Sequence, residues 1–440
     1  MDANKLDTFS KDAISCLPQE VLGHILSSVP TKLAASTSVL SKKWRNVFAL
    51  VHNLEFDDSD LLQPEEWEVK REMFKSFVDR TLALQCASPI KKFSLKHHIL
   101  EESEMASHVG GWIRNAVERG VLEMSLILKS NCQLSLPCAL FTSKTLVKLT
   151  LGSQLTLGDI PPGVSLPALK TLFIDSVFFT FEDLCNVFLP GCPVLEEMSV
   201  HHEDYEGVPF CISSQSIKKL SVHYNFESEI ESMPGMSFEA PNLVSLDYSD
   251  YALEEYPQVD LESLVEARLD IKYSKIINRP DLTGLIDGIS NVENLHLTPA
   301  SADVISRCVK HGLVLPVFKN LVSLSFGSGI KRGWKVLPYL IKRSPKLETL
   351  IIQGLDGYVG DGTKHLLQVK VLHVLGYGGT AKDLEHLKSF LGGVTECLEL
   401  VQVEFAEGVT VDDDTMLQTH RDLMTQLVGV NCKAQVTFFK

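Results

Sequence analysis

Twelve times between residues 90 and 374 the chain repeats one short pattern: an apolar residue, two others, an apolar residue, one other, and a third apolar residue. It reads Ile90/Phe93/Leu95, Val121/Met124/Leu126, Leu146/Leu149/Leu151, Leu169/Leu172/Ile174, Leu195/Met198/Val200 and Ile217/Leu220/Val222. It continues Leu243/Leu246/Tyr248, Leu264/Ala267/Leu269, Val292/Leu295/Leu297, Leu321/Leu324/Phe326, Leu347/Leu350/Ile352 and Val369/Leu372/Val374. The interval averages about 25 residues. Alternation across the last two apolar positions makes a short strand with one buried face. One unit cannot bury that face alone, so neighbouring units must stack and share a core. The expected result is an α/β fold: a curved, irregular solenoid with a parallel sheet. In four units a proline (Pro167, Pro193, Pro241, Pro345) sits two positions ahead of the first apolar residue. There, just before a strand, it removes no ladder hydrogen bond.

Length alone would suggest several domains for 440 residues, but a repeat array absorbs that length as one. The formal net charge of −15 argues against nucleic acid and anionic membranes as partners, because both require a basic surface. Ten cysteines are spread through apolar segments with no Cys-x-x-Cys pair, and there is no Asn-x-Ser/Thr sequon. Cysteines used in this way are small hydrophobes in a reducing compartment. The first residues, MDANKLDTFSKD, have no apolar core of a signal peptide. No 18-residue apolar run suggests a membrane span. The expectation is a protein of the cytoplasm or the nucleus that needs no cofactor.

Residues 9–56 have a different period. Leu17, Val21, Leu22, Ile25, Leu26 and Val29 recur at helical spacing. Pro18 suits a first helical turn, and Pro30 marks the end of that helix. Leu33, Ala34, Val39 and Leu40 suggest a second short helix. Ser41 is placed to cap a third, which carries Trp44, Val47 and Phe48. Helices this short cannot bury all these groups among themselves, so part of the apolar surface is expected to face a partner.

The order Leu-Pro, Ile-Leu-Ser-x-Val-Pro, Val-Leu-Ser-Lys-Lys-Trp-Arg, followed by Asn53 to Asp58, resembles the F-box of plant F-box/leucine-rich-repeat proteins. That resemblance implies docking to a Skp-family adaptor and, through it, to a cullin-RING ubiquitin ligase. Carried over by position, Leu17, Pro18, Val21, Leu22, Ile25, Leu26, Val39, Leu40 and Trp44 would form or support the adaptor surface. It also implies a receptor rather than an enzyme, with the repeats binding an unknown target protein.

Residues 57–88 read as a linker helix, with Trp67, Val69, Met73, Phe77, Val78 and Leu82 as its apolar positions. Residues 89–363 hold the repeats. Residues 364–440 read strand, helix, strand, helix, strand, which resembles the FBD extension at the C-terminus of many such proteins. The expected helices cover Ala381 to Leu391 and about Asp414 to Val428. The expected strands cover Leu398 to Phe405 and Ala434 to Phe439.

Between the apolar positions of each strand lie residues expected on the open face of the sheet. Phe173, His201, His223, Asp247, Arg268 and His296 are the central candidates for target binding. His97-His98 and His201-His202 could suggest metal ligands. However, neighbours on a strand point to opposite faces, so no metal site is expected. Two other functions fit the same architecture. A ligand-sensing receptor would resemble the plant hormone-receptor F-box proteins, whose basic inositol-phosphate pocket implies more cations than Lys148, Lys219 and Arg268 supply. An adaptor-binding scaffold would deliver no target.

Overall fold

The computed structural model describes residues 14, 17–59, 67–85, 88–99, 104, 108–130, 133–152, 155–179, 183–203, 208–227, 235–355, 358, 368–391, 397–407, 413–426 and 433–438. The chain divides into two compact units, residues 1–183 with 190–194, and residues 184–189 with 195–440.

The first unit opens with α1 (Gln19–Leu26), α2 (Thr31–Thr37) and α3 (Lys42–Phe48). Next come β1 (Asn53–Asp57), α4 (Trp67–Leu84), β2 (Lys92–Ile99), β3 (Glu123–Ser130), β4 (Lys148–Gly152), β5 (Leu155–Thr156), β6 (Thr171–Asp175) and β7 (Val177–Phe178). Strands β1, β2, β3, β4 and β6 pair in that order, all parallel. Helix Gly110–Glu118 connects β2 to β3.

The second unit holds β8 (Glu197–His202), β9 (Cys211–Ser213), β10 (Lys219–Tyr224), β11 (Ser237–Glu239), β12 (Ser245–Tyr251), β13 (Val259–Asp260) and β14 (Glu266–Lys272). It continues with β15 (Asn294–Leu297), β16 (Ser323–Phe326), β17 (Thr349–Gln353), β18 (Val371–Tyr377), β19 (Leu400–Phe405) and β20 (Lys433–Phe438). Ten of these form one parallel sheet in the order β8, β10, β12, β14 to β20, and β9, β11 and β13 form a second, three-stranded one.

All 36 apolar positions of the twelve units are at most 3% exposed. The stacking argument is thus realised residue by residue, and Leu246 sits beside Leu220 and Ala267 in neighbouring strands. The register is set just before each strand. There one carbonyl accepts two successive N–H groups of the next unit. Glu196 O takes Lys218 N (2.8 Å) and Lys219 N (3.0 Å), and Glu293 O takes Val322 N (2.8 Å) and Ser323 N (3.0 Å).

The structure adds a unit at each end. Val51/Leu54/Phe56 and Leu398/Val401/Val403 have the same spacing, and all six residues are buried. Strand β1 pairs with β2 from Asn53↔Lys92 to Asp57↔Lys96. The sheet therefore begins at the end of the helical module, and residues 57–88 are the connection inside its first repeat. In α4 the buried stripe is Phe74, Val78 and Leu82, whereas Val69 and Met73 are exposed. At the other end, β18 pairs with β17, β19 with β18 and β20 with β19. Residues 364–440 show the expected strand–helix–strand–helix–strand order, with helices Ala381–Leu391 and Asp413–Gln426. They continue the same sheet, so no break in strand pairing falls at residue 363.

Phe56 fills the core of the added first unit, with its ring 5.8 Å from that of Phe77 and 5.9 Å from that of Phe93. Phe56→Ala is expected to destabilise the first unit by about 3–5 kcal/mol, as aromatic core truncations do. Denaturant unfolding measures this, and a loss too small to resolve would show that β1 is peripheral to the core.

Candidate functional site

The three N-terminal helices divide their apolar residues between a core and an open surface. Leu22, Leu26, Ala34, Val47 and Phe48 are buried. Helix α1 comes so close to the chain after α3 that a Cβ on Gly23 would stand 2.8 Å from Leu50 Cβ. Val21, Ile25, Leu33, Val39 (81% exposed) and Leu40 (69%) lie open. Pro18 is also exposed, while Leu17 and Trp44 are half-buried.

Burial sorts the expected set at Leu22 and Leu26. Both face the helices of their own module, so they support the surface and do not present it. The second helix also ends early. Ser36 and Thr37 hydroxyls donate back to Leu33 O and Ala34 O, each at 2.7 Å. This competition with the helical backbone leaves Val39 and Leu40 in the turn after α2, where they project into solvent. Leu33 was missing from the expected set, although its apolar side chain within a helical segment was visible.

In the second unit, strand register brings five of the six expected target-binding residues onto one face. The pairs Ser199↔Ser221, Ser221↔Asp247, Asp247↔Arg268 and Arg268↔His296 place these side chains in one row across β8 to β15. His201↔His223 begins the next row. Phe173 belongs to the first unit, beside Thr150.

Charge organises the row. Asp247 lies 3.5 Å from His223 Nε2 and 3.6 Å from Arg268 Nε. An Arg268 Nη1 hydrogen reaches His296 Nε2 at 2.7 Å, and the Gln353 amide stands 3.3 Å from the same nitrogen. His296 therefore accepts at Nε2. Burial, then the Arg268 charge, lower its pKa and favour this neutral form. Partly exposed pairs of this kind contribute little stability. Arg268→Ala and Asp247→Asn are therefore expected to shift the unfolding midpoint by no more than about 3 °C. A larger shift on thermal unfolding would make the row part of the scaffold.

The neighbouring histidines separate as alternation requires. His97 is buried between Asp58 Oδ2 (2.6 Å) and Glu104 Oε1 (3.1 Å), while His98 is half-buried. His202 is buried and His201 half-exposed. Among the described residues, no group of three His, Cys, Asp or Glu could hold a metal. Likewise, no described helix is long and apolar enough to cross a membrane.

One buried acid stands apart. Asp250, at the end of β12, is 5% exposed. Its Oδ2 accepts the Tyr248 hydroxyl at 2.8 Å and its Oδ1 accepts the Tyr251 N–H at 2.7 Å. Burial pushes its carboxyl up to about 7, against a partial lowering by Tyr248, Tyr251 and the Lys272 charge. The unfolded chain releases this proton near pH 4, and the folded chain releases it near 7. Across that window the native state binds more protons, so stability falls as pH rises and levels off above about 7. Asp250→Asn cannot ionise. Its stability relative to the parent is expected to rise by a few kcal/mol between pH 5 and pH 8. Denaturation at the two pH values measures this, and a constant difference would contradict it.

The sequence matches known proteins along its length. An F-box domain profile matches residues 14–55. A profile for the leucine-rich repeats of the FBD-associated F-box protein At5g56370 matches residues 109–260. The Arabidopsis thaliana F-box/LRR-repeat protein At3g60040 is 54% identical over 451 aligned positions, covering 100% of this chain and 99% of the relative. The F-box/LRR-repeat protein At1g06630 of the same plant is 53% identical over 413, covering 92% and 100%. The Arabidopsis thaliana F-box protein At4g27050 is 40% identical over 446, covering 90% and 94%.

Proposed function

The chain belongs to the F-box/LRR-repeat family, and on that premise we propose that it is the substrate-recognition subunit of a cullin-RING ubiquitin ligase. The open apolar set on the N-terminal helices docks a Skp-family adaptor. Val21, Ile25, Leu33, Val39 and Leu40 supply the contact, with Leu17, Pro18 and Trp44 at its margin and Leu22 and Leu26 holding it from beneath. The two adjacent rows, Asp247, Arg268 and His296 in one and His201 and His223 in the next, contribute to capture of a target protein, and Phe173 offers a separate contact on the first unit. The chain supplies no catalytic group. It contributes proximity, which turns an encounter between target and ubiquitin-charged enzyme into an intramolecular step. The same reading puts the chain in the cytoplasm, the nucleus or both.

One observation carries this reading. Val39 and Leu40, large apolar side chains, stand 81% and 69% exposed in the segment that matches the F-box. Apolar side chains held out of their own core favour a partner that covers them. Proximity labelling under proteasome inhibition tests it, comparing the intact chain with V39D/L40D. Proteins labelled by both should accumulate in cells only when the intact chain is lost or the variant replaces it. If no labelled protein changes in abundance, the chain is not a degradation receptor.

A further inference from the structure

Strands β10, β12 and β14 end on a small, partly open cavity of about 20 Å³, room for one water-sized group, lined among others by Tyr224, Phe226, Tyr251, Asp250, Glu227 and Ser274. Tyr224 and Phe226 stack at 5.9 Å and 30°, and the Tyr224 hydroxyl is turned away to donate to Pro209 O at 2.7 Å. Aromatic rings thus form the walls. The charged groups on the lining are both carboxylates, and one of them, Asp250, is 95% removed from solvent. Among the described residues neither Asp250 nor Glu227 has an ion-pair partner; Glu227 accepts from Ser274 Oγ at 3.2 Å and from the Lys275 N–H.

The protein's own cation already samples this wall. Lys272 Nζ stands 5.7 Å from the Tyr251 ring centroid and donates to Asn225 Oδ1 at 3.1 Å. The stretch that supplies most of the lining is one-sided, with Lys272, Lys275 and Arg279 following it. Residues 203–260 contain twelve Asp and Glu but only two Lys, a formal −10 within the −15 of the whole chain. Those two lysines, Lys218 and Lys219, pair with Glu196 and Glu197.

We propose that this cavity and its mouth take the charged end of a lysine or arginine side chain from a basic segment in the captured protein. The inference rests on the target-capture reading above and specifies the chemistry of the target. Ring faces attract cations, and a guanidinium also stacks on them. Asp250 feels the Lys272 charge but makes no ion pair with it, and a carboxylate buried in that way gains from a closer opposite charge. An entering cation would hold Asp250 ionised and satisfy the lone pairs that Tyr248 and Tyr251 leave free. A neutral apolar guest would do neither.

The test uses the full chain and two short peptides, acetyl-Gly-Gly-Arg-Gly-Gly-amide and the same peptide with citrulline, the neutral isostere of arginine. At pH 8 the arginine peptide is expected to bind at least about tenfold more tightly. The preference should narrow below pH 7 as Asp250 takes up its proton, with Lys272, Tyr224, Tyr248 and Tyr256 as the titratable groups acting on it and Glu227 elsewhere on the same lining. Asp250→Asn and Glu227→Gln should each shrink the preference. Glu227 lies at the half-buried rim, so its variant retains the test if Asp250→Asn folds poorly. Lys272→Met, which removes the competing cation, should strengthen arginine binding. Equal affinity for the two peptides overturns the proposal. Ethylguanidinium alone binding as tightly as the arginine peptide overturns its assignment to a protein side chain. If arginine preference is absent while target accumulation still depends on Val39 and Leu40, the cavity proposal fails and the receptor reading stands. If arginine preference holds with no accumulation, the receptor reading fails.

Discussion

Replacing Val39 and Leu40 together with aspartate is expected to weaken binding of a Skp-family adaptor at least about a hundredfold, with the fold unchanged. Both side chains lie in the turn that follows α2, more than half exposed, and neither belongs to the core. A carboxylate there meets water in the free chain and costs little. Buried against an apolar partner surface, it would lose that water with no counter-charge. Leu22→Ala is the contrasting variant. Leu22 is fully buried, so its truncation should lower the stability of the helical module by about 2–5 kcal/mol. Binding titration with purified adaptor, alongside circular dichroism, separates the two effects. If V39D/L40D binds the adaptor as the parent does, the exposed turn is not the docking surface.

Deleting residues 1–50 is expected to destabilise the repeats themselves. The N-terminal helices cover the first edge of the sheet in their own unit. Thr31 Oγ1 accepts the Glu55 N–H at 2.7 Å, Ser27 Oγ accepts the His52 N–H at 2.9 Å, and Ser27 O accepts the Asn53 amide at 2.9 Å. From the other side, Gln85 donates to Phe48 O at 3.1 Å and Ser88 to Ala49 O at 2.7 Å. Three bonds to the edge at about 1 kcal/mol each predict a midpoint lower by roughly 10 °C. The bare edge of β1 also becomes a template for strand pairing between molecules. Thermal unfolding and light scattering of the truncated chain report both effects. A truncated chain that stays monodisperse and melts with the parent would show the two parts to be independent. For this reason V39D/L40D, and not a deletion, is the cleaner control in target searches.

The repeat was legible because burial imposes it. Every strand must hide the same positions, so the spacing is written in the residues even where Ala267 replaces a larger side chain. The two terminal units escaped for a physical reason. Val51/Leu54/Phe56 abuts a helical pattern, and 39 residues separate its first position from Ile90, beyond the period elsewhere. In α4, several apolar residues compete for one buried stripe. Periodicity there does not tell Phe74 from Met73; packing against the helix's neighbours does.

The candidate sites divide along the same line. Local pattern sufficed to name the apolar residues of the F-box and the alternating outward residues of the strands, because both follow from helical and strand periods. It could not say that Leu22 turns inward while Leu40 turns out, since the first depends on how α1 crosses the chain after α3 and the second on where α2 ends. Nor could it place Asp250 beside the rings of Tyr224 and Phe226. Those residues are separated in sequence and meet only when neighbouring units stack. The amino-acid order by itself therefore determined the repeat, its parallel sheet and the helical F-box, all set by short-range spacing. Tertiary structure alone decided which of those side chains stay uncovered and which charges are sealed away, because exposure is a property of the packed neighbours.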